Sequence, residues 1–187
     1  MGEFNLIDEG WIPCIHLDGR QVDYGIRDTL LRAHDLREVC DDSPLVTAAL
    51  HRLLLAILYR AHGGPSNMAE WRNIYSCGTF ATNQKVEAYL ARWHERFYLF
   101  SADHPFFQMA ELEMKAAVPV TRLATECASG NNATLFDHSS DTADVSCGPA
   151  CVARWLVACQ SFALGFGKSG NGRIGGEEEA LPYATDA

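Results

Sequence analysis

The longest helical pattern in the chain begins at Ser43-Pro44. A residue able to cap a helix is followed by proline, whose fixed φ and missing N–H suit the first helical position. Leu45, Ala48, Ala49, Leu53, Ile57 and Leu58 continue at helical spacing, and Leu54, Leu55 and Tyr59 widen the apolar face almost all round. Gly63-Gly64-Pro65 ends it. Such a helix is expected to be the central buried element. Upstream, residues 4–17 alternate as strands do, Asp18-Gly19 reads as a hairpin turn, and Gln21-Val22-Asp23-Tyr24 returns. The Trp11-Ile12-Pro13 step puts a proline at a strand start or edge. Asp28 reads as the N-cap of a helix carrying Leu30, Leu31, His34 and Val39.

Downstream, helices are expected over residues 68–75 and 84–97. In the second, Val86, Tyr89, Leu90, Trp93 and Phe97 form an apolar stripe that periodicity assigns to the core. Leu99-Phe100 and Pro105-Phe106-Phe107 read as short buried aromatic pieces. From residue 124 to 148 small and polar side chains dominate, which predicts a long loop of the kind that tends to carry function. Pro149 opens a last helix with Val152, Trp155, Leu156, Cys159, Phe162 and Ala163 on its apolar face. A glycine-rich stretch over residues 165–176 follows, and no second core is expected after it. The pattern as a whole predicts an α+β fold: a small antiparallel N-terminal sheet, several helices and long functional loops.

Composition narrows the function. The 187 residues are 48% hydrophobic and 21% charged, ordinary values for a globular domain with its own core. The apolar run of residues 53–59 is too short to span a bilayer, and the first residues lack the blocks of a signal peptide, so a cytoplasmic location without membrane contact is expected. Seven scattered cysteines are expected to be free thiols packed as small apolar groups. The net charge of -9 speaks against a domain that holds nucleic acid unaided, because backbone phosphates are met by basic surfaces.

Gly167-Lys168-Ser169 raises the possibility of a phosphate-binding loop. That motif needs a glycine five residues earlier, where Phe162 stands, and it must open a helix rather than follow one. A nucleotide P-loop is therefore rejected. Glycines at 165, 167, 170 and 172 offer backbone that can approach a surface closely, and Lys168 and Arg173 are the only charges between residues 160 and 176. Entry into a DNA minor groove and a flexible connector both fit these residues. Asn131 and Asn132 are equally open, between hydrogen bonding to bases or sugars and Asx turns. Cys127, His138, Cys147 and Cys151 lack the spacing of a zinc knuckle, and no Gly-x-Ser-x-Gly elbow occurs. No active site and no cofactor are expected.

Taken in order, several segments form a known pattern. Phe4-Asn5-Leu6-Ile7-Asp8-Glu9-Gly10-Trp11-Ile12-Pro13, Asp41-Asp42-Ser43-Pro44-Leu45-Val46, His104-Pro105-Phe106-Phe107-Gln108, Gly130-Asn131-Asn132-Ala133-Thr134-Leu135-Phe136-Asp137-His138 and Gln160-Ser161-Phe162-Ala163-Leu164-Gly165 carry it. Their sequence resembles the large-subunit family of the type I-E CRISPR surveillance complex, Cascade, over nearly the whole chain. The resemblance implies a non-enzymatic subunit at the 5′-handle end of the guide RNA. Such a subunit checks the protospacer-adjacent motif of double-stranded target DNA, helps start strand separation and offers a surface to an effector helicase-nuclease. Its partners would be the other Cascade subunits, the guide RNA handle, the target duplex and that nuclease. The implied DNA-binding residues are Asn131, Asn132 and Thr134 in the first loop and Gly165, Gly167, Lys168, Ser169 and Gly170 in the second. Family members are much longer, so residues 1–187 are expected to be an incomplete N-terminal domain without the C-terminal helical bundle. The family's wedge glutamine and lysine finger would lie downstream. The alternative is a fragment that docks on the complex without recognising DNA itself.

Overall fold

In the computed structural model, residues 4–78, 84–113, 119–124 and 146–162 are described, together with the backbone of residues 172–174 and 177–179. The N-terminal hairpin forms where the turn residues place it. Strand β1 (Ile12–His16) pairs antiparallel with β2 (Gln21–Tyr24) across a turn in which Gly19 takes φ +88°. The sheet order is β2-β1-β3, with β3 (Leu36–Val39) on the other side of β1. Pro13 therefore lies at the start of a central strand. Cys40 N donates to the Pro13 carbonyl at 3.0 Å, and proline has no N–H to return, so that ladder ends there.

Between β2 and β3 the structure corrects the helix expected from Asp28 to Val39. Helix α1 (Ile26–Leu31) is capped by Gly25, with Asp28 inside its first turn; a 3₁₀ turn, Ala33–Asp35, follows, and Val39 is in β3. The free edge of β1 takes this segment into the sheet, outweighing a helical spacing that local sequence alone suggested. Gly25 is required by contact: a Cβ there would run into the Ile7 carbonyl. Its own carbonyl accepts from the buried Thr29 hydroxyl at 2.8 Å.

Helix α2 (Pro44–His62) keeps its expected bounds, because both ends are set by local chemistry. The Ser43 hydroxyl accepts from Val46 N at 3.3 Å, and Gly63 closes the helix at φ +78° with Gly64 N donating to Tyr59 O at 2.9 Å. With 19 residues and a mean hydropathy of 1.3, α2 has the length and composition of a membrane span, but it serves as the core helix here. Val46, Ala49, Leu50, Leu54 and Ile57 are buried, and the helix packs on α4 (Gln84–Trp93) and α5 (Pro149–Phe162). The apolar face is wider than its cover. Leu55 and Tyr59 are exposed and line a groove of about 680 Å³ with Trp71 and Tyr75 of α3 (Met68–Ser76). The Trp71 and Tyr75 rings stack at 5.1 Å, and no residue of α3 is buried.

The N-terminal segment joins this core at a distance in sequence. Leu6 N donates to Phe97 O at 2.9 Å and Leu99 N to Phe4 O at 2.8 Å, with Asn5 bridging to Tyr98. Asn5 is almost fully buried and satisfied: its Nδ2 donates to His94 O, and its Oδ1 accepts from Ile7 N. Leu6, Ile7, Trp11 and Ile12 are wholly buried, and the Trp11 indole donates to Leu6 O at 2.8 Å. Arg154 of α5 reaches the same region. Its Nη1 donates to Trp11 O at 3.0 Å and its Nε lies 3.1 Å from the largely buried Asp41 carboxylate, just ahead of α2. Cys14, Cys151 and Cys159 are free thiols whose pKa burial raises, Cys14 to about 11, so they pack as apolar groups.

Arg154→Ala should destabilise the chain by about 2 kcal/mol, since it leaves the Asp41 carboxylate and Trp11 carbonyl without their charged donor. Urea unfolding reads this, and a loss under about 0.5 kcal/mol would mean the contact is ornamental. His94 gives a pH-dependent counterpart. Its Nε2 lies 2.7 Å from the Asp8 carboxylate, which also pairs with Arg27, and the Asp8 hydrogen bond raises the imidazole pKa above 6.5 against the opposing effect of burial. A raised folded-state value stabilises fully below the unfolded value and is lost as pH rises through the folded one. The stability advantage of the native chain over His94→Gln should therefore be full below the ordinary imidazole value of about 6.5 and shrink as pH rises above it through the raised folded-state value. A constant or growing difference would contradict the assignment.

Candidate nucleic-acid interface

All eight residues expected to touch DNA, Asn131, Asn132, Thr134, Gly165, Gly167, Lys168, Ser169 and Gly170, lie outside the described residues, as do Cys127 and His138. The structure instead defines where their two segments are rooted, and both roots are on α5. Residues 125–145 leave after a 3₁₀ turn, Val120–Leu123, that packs on α5, with Ala124 buried. They return at residues 146–148, where Gly148 O accepts from Val152 N in the first turn of α5. The glycine-rich segment leaves from the other end, after Phe162. Fourteen helical residues set the return of the first segment and the departure of the second about 21 Å apart.

The C-terminal end of α5 carries no basic residue of its own to meet its exposed carbonyls. Arg52 of α2 supplies one: Nη1 donates to Ser161 O at 3.0 Å, and the guanidinium lies 5.5 Å from the centre of the Phe162 ring. One residue earlier, Gln160 Nε2 donates to Phe107 O at 3.3 Å, tying α5 to the aromatic turn His104-Pro105-Phe106-Phe107-Gln108. The downstream root reaches that turn as well. Strand β4 (Leu112–Glu113), just beyond it, pairs antiparallel with β5 (Gly172–Ile174), and β5 pairs with β6 (Glu177–Glu179). The sequence pattern foresaw none of these three strands. Together they bring residues 172–174 and 177–179 back to the domain as a second three-stranded sheet.

The aromatic turn is held in an unusual backbone state. Phe107 has φ +54° and Glu111 φ +57°, a region that costs a non-glycine residue about 1–3 kcal/mol. Phe106 N donates to Tyr98 O at 2.9 Å, and Gln108 Nε2 donates to both Leu99 O and Phe106 O, at 2.8 and 3.2 Å. Those bonds fix the turn and split the two phenyl rings. Phe106 is buried and stacks 5.4 Å from Phe97, while Phe107, 4.3 Å from Phe106, is 46% exposed. The expectation that the aromatic pieces are all buried is therefore corrected at Phe107 and at Phe100, which is 40% exposed.

A second correction concerns α4. Val86, Leu90 and Phe97 are core, but Tyr89 and Trp93 are only partly buried. They line an open cavity of about 920 Å³ together with the aromatic turn, Arg96 and Gln160. Periodicity located the face correctly and left open what covers it. No three His, Cys, Asp or Glu side chains converge on a possible metal site among the described residues.

Against known proteins, residues 5–183 match the family of CRISPR-associated protein Cse1. The chain is 43% identical over 163 residues to the CRISPR-associated protein CasA/Cse1 of Thermus thermophilus, covering 87% of this chain and 32% of that protein. The crystal structure of Thermobifida fusca Cse1 superposes with a TM-score of 0.75 at 31% identity, over 90% of this chain and 32% of that one. A chain of a CRISPR RNA-guided surveillance complex, pre-nicking, superposes at 0.76 with 27% identity, over 96% and 38%. The chain thus spans about a third of the length of these relatives. With the family match running through nearly all of the sequence, and the fold superposing on a solved Cse1 structure over 90% of its length, this chain belongs to the Cse1 family of CRISPR-associated proteins.

Proposed function

We propose that this chain is a non-catalytic recognition portion of an RNA-guided Cascade complex in the cytoplasm, reading the protospacer-adjacent motif of double-stranded DNA and helping to open it. The observation that carries the proposal is the rooting of two loop segments at opposite ends of one packed helix, α5, whose ends are tied to α2, the 3₁₀ turn and the aromatic turn. Recognition loops need a rigid base, because every residue ordered on binding costs affinity. Family membership and the similarity to a surveillance-complex chain support the same reading.

Charge sets the division of labour. A chain of net charge -9 repels a phosphate backbone, so the guide RNA-bearing assembly must position the duplex. This chain then contributes close contact: the glycines at 165, 167 and 170 let backbone enter a minor groove that side chains would crowd, with Lys168 adding a local positive charge. Asn131, Asn132 and Thr134, in the segment rooted at the start of α5, supply amide and hydroxyl groups toward the guide handle and the motif-bearing duplex. The other Cascade subunits hold the chain, and the helicase-nuclease docks on the assembly once DNA is bound.

Gly165→Phe or Gly167→Phe should weaken motif-dependent duplex binding by the reconstituted complex about tenfold or more, with assembly and thermal unfolding unchanged. Filter binding at fixed salt reads it. Wild-type affinity in both variants would remove the glycine segment from the interface. Assembly without motif discrimination even with the unaltered chain would favour the docking fragment.

A further inference from the structure

The cavity between α4 and the aromatic turn belongs to neither loop. From its geometry we infer that it is a binding site for a single unpaired nucleobase; this rests on the nucleic-acid reading above and deepens it. Three of its lining side chains, Tyr89, Trp93 and Phe107, are flat and aromatic. Phe107 is the telling residue. Its φ of +54° is a strained state for a phenylalanine, and its ring stands half exposed at the cavity while that of Phe106 beside it is buried. Any base can stack on such faces.

The polar groups at the cavity suit base edges. Gln108 and Gln160 each use their Nε2 on a backbone carbonyl, Gln108 on Leu99 and Phe106 and Gln160 on Phe107. With each Nε2 on a carbonyl, Oε1 is the remaining group of each amide, and neither Oε1 has a partner among the described residues. Exocyclic amino groups and ring N–H groups of bases donate to such oxygens. Arg96, exposed at the same cavity and without an ion pair among the described residues, offers a cation to the attached phosphate. At about 920 Å³ the space admits a nucleoside with room for its sugar. Its position fits the source. Gln160 lies two residues before the glycine-rich segment leaves α5, so a base unstacked near that segment has a receiving pocket beside it.

The test uses the 187-residue chain and uncharged probes, which avoids repulsion by its net charge: adenosine, deoxyadenosine and, as the base-free control, ribose. Side-chain amide resonances of Gln108 and Gln160 and the indole resonance of Trp93 report binding by NMR titration. Both nucleosides, or one of them, should shift these resonances saturably, and ribose should not. Preference for adenosine would point to guide RNA as the source, and preference for deoxyadenosine to opened target DNA. Phe107→Gly removes the stacking face and relieves the positive φ, so it should fold at least as stably while weakening nucleoside binding about tenfold. No saturable shift with either nucleoside, equal shifts with ribose, or undiminished binding by Phe107→Gly would overturn the site. Loss of this site would leave motif-dependent duplex binding by the reconstituted complex untouched as a separate measurement, so the two readings fail independently.

Discussion

Everything in this chain hangs on the burial of α2 against α5. Val46, Leu50 and Ile57 of one helix and Leu156 and Val157 of the other are removed from water almost completely, and Ala49, Ala153 and Ala158 lie buried with them as small residues. At about 2 kcal/mol for each large side chain, that layer contributes on the order of 10 kcal/mol, an upper estimate but well above any polar contact in the domain. The Arg154 bonds to Trp11 and Asp41 are worth a fraction of it. Packing therefore holds α5 in the fold, and the arginine fixes which way it is turned relative to the N-terminal hairpin.

Function follows from what α5 carries at its ends. A helix fixed along its length makes a ruler of about 21 Å between two loop roots, and each root is secured by contacts remote in sequence. The 3₁₀ turn and Ala124 hold one; Arg52, Gln160 and the β4–β5 pairing hold the other. The aromatic turn is the shared anchor. Its two strained residues, Phe107 and Glu111, bracket the segment that leads into β4, so the backbone strain lies between the cavity and the strand that receives the glycine-rich segment. Strain placed there, and held by Gln108 and Gln160, marks the region as one where shape outweighs local preference.

Features governed by near neighbours were legible in the sequence. Ser43, Pro44 and Gly63 bound α2 because capping and left-handed closure are decided within a turn. The Asp18-Gly19 turn set the β1–β2 register for the same reason. Features made by distant pairing were not. Val39 has helical spacing from Leu31, yet the open edge of β1 takes it. The glycines and glutamates of residues 172–179 show no alternation, and only the pairing of β5 with β4 and of β6 with β5 makes strands there. Tyr89 and Trp93 carry the periodicity of a core face, but periodicity says nothing of the gap left beside the aromatic turn. The family pattern supplied what spacing could not, the reading of the two loops, whose named residues lie outside the described part of the structure.

The central claim is that recognition of the adjacent motif resides in these 187 residues and needs only the assembly's charge to bring the duplex within reach. The direct measurement is duplex binding by guide-RNA complex reconstituted with this chain as its only large-subunit component. It is compared, at one stated salt concentration, on duplexes with and without the correct motif. Tighter binding to the motif-bearing duplex is the predicted result. Equal binding to both duplexes by a fully assembled complex would contradict the account.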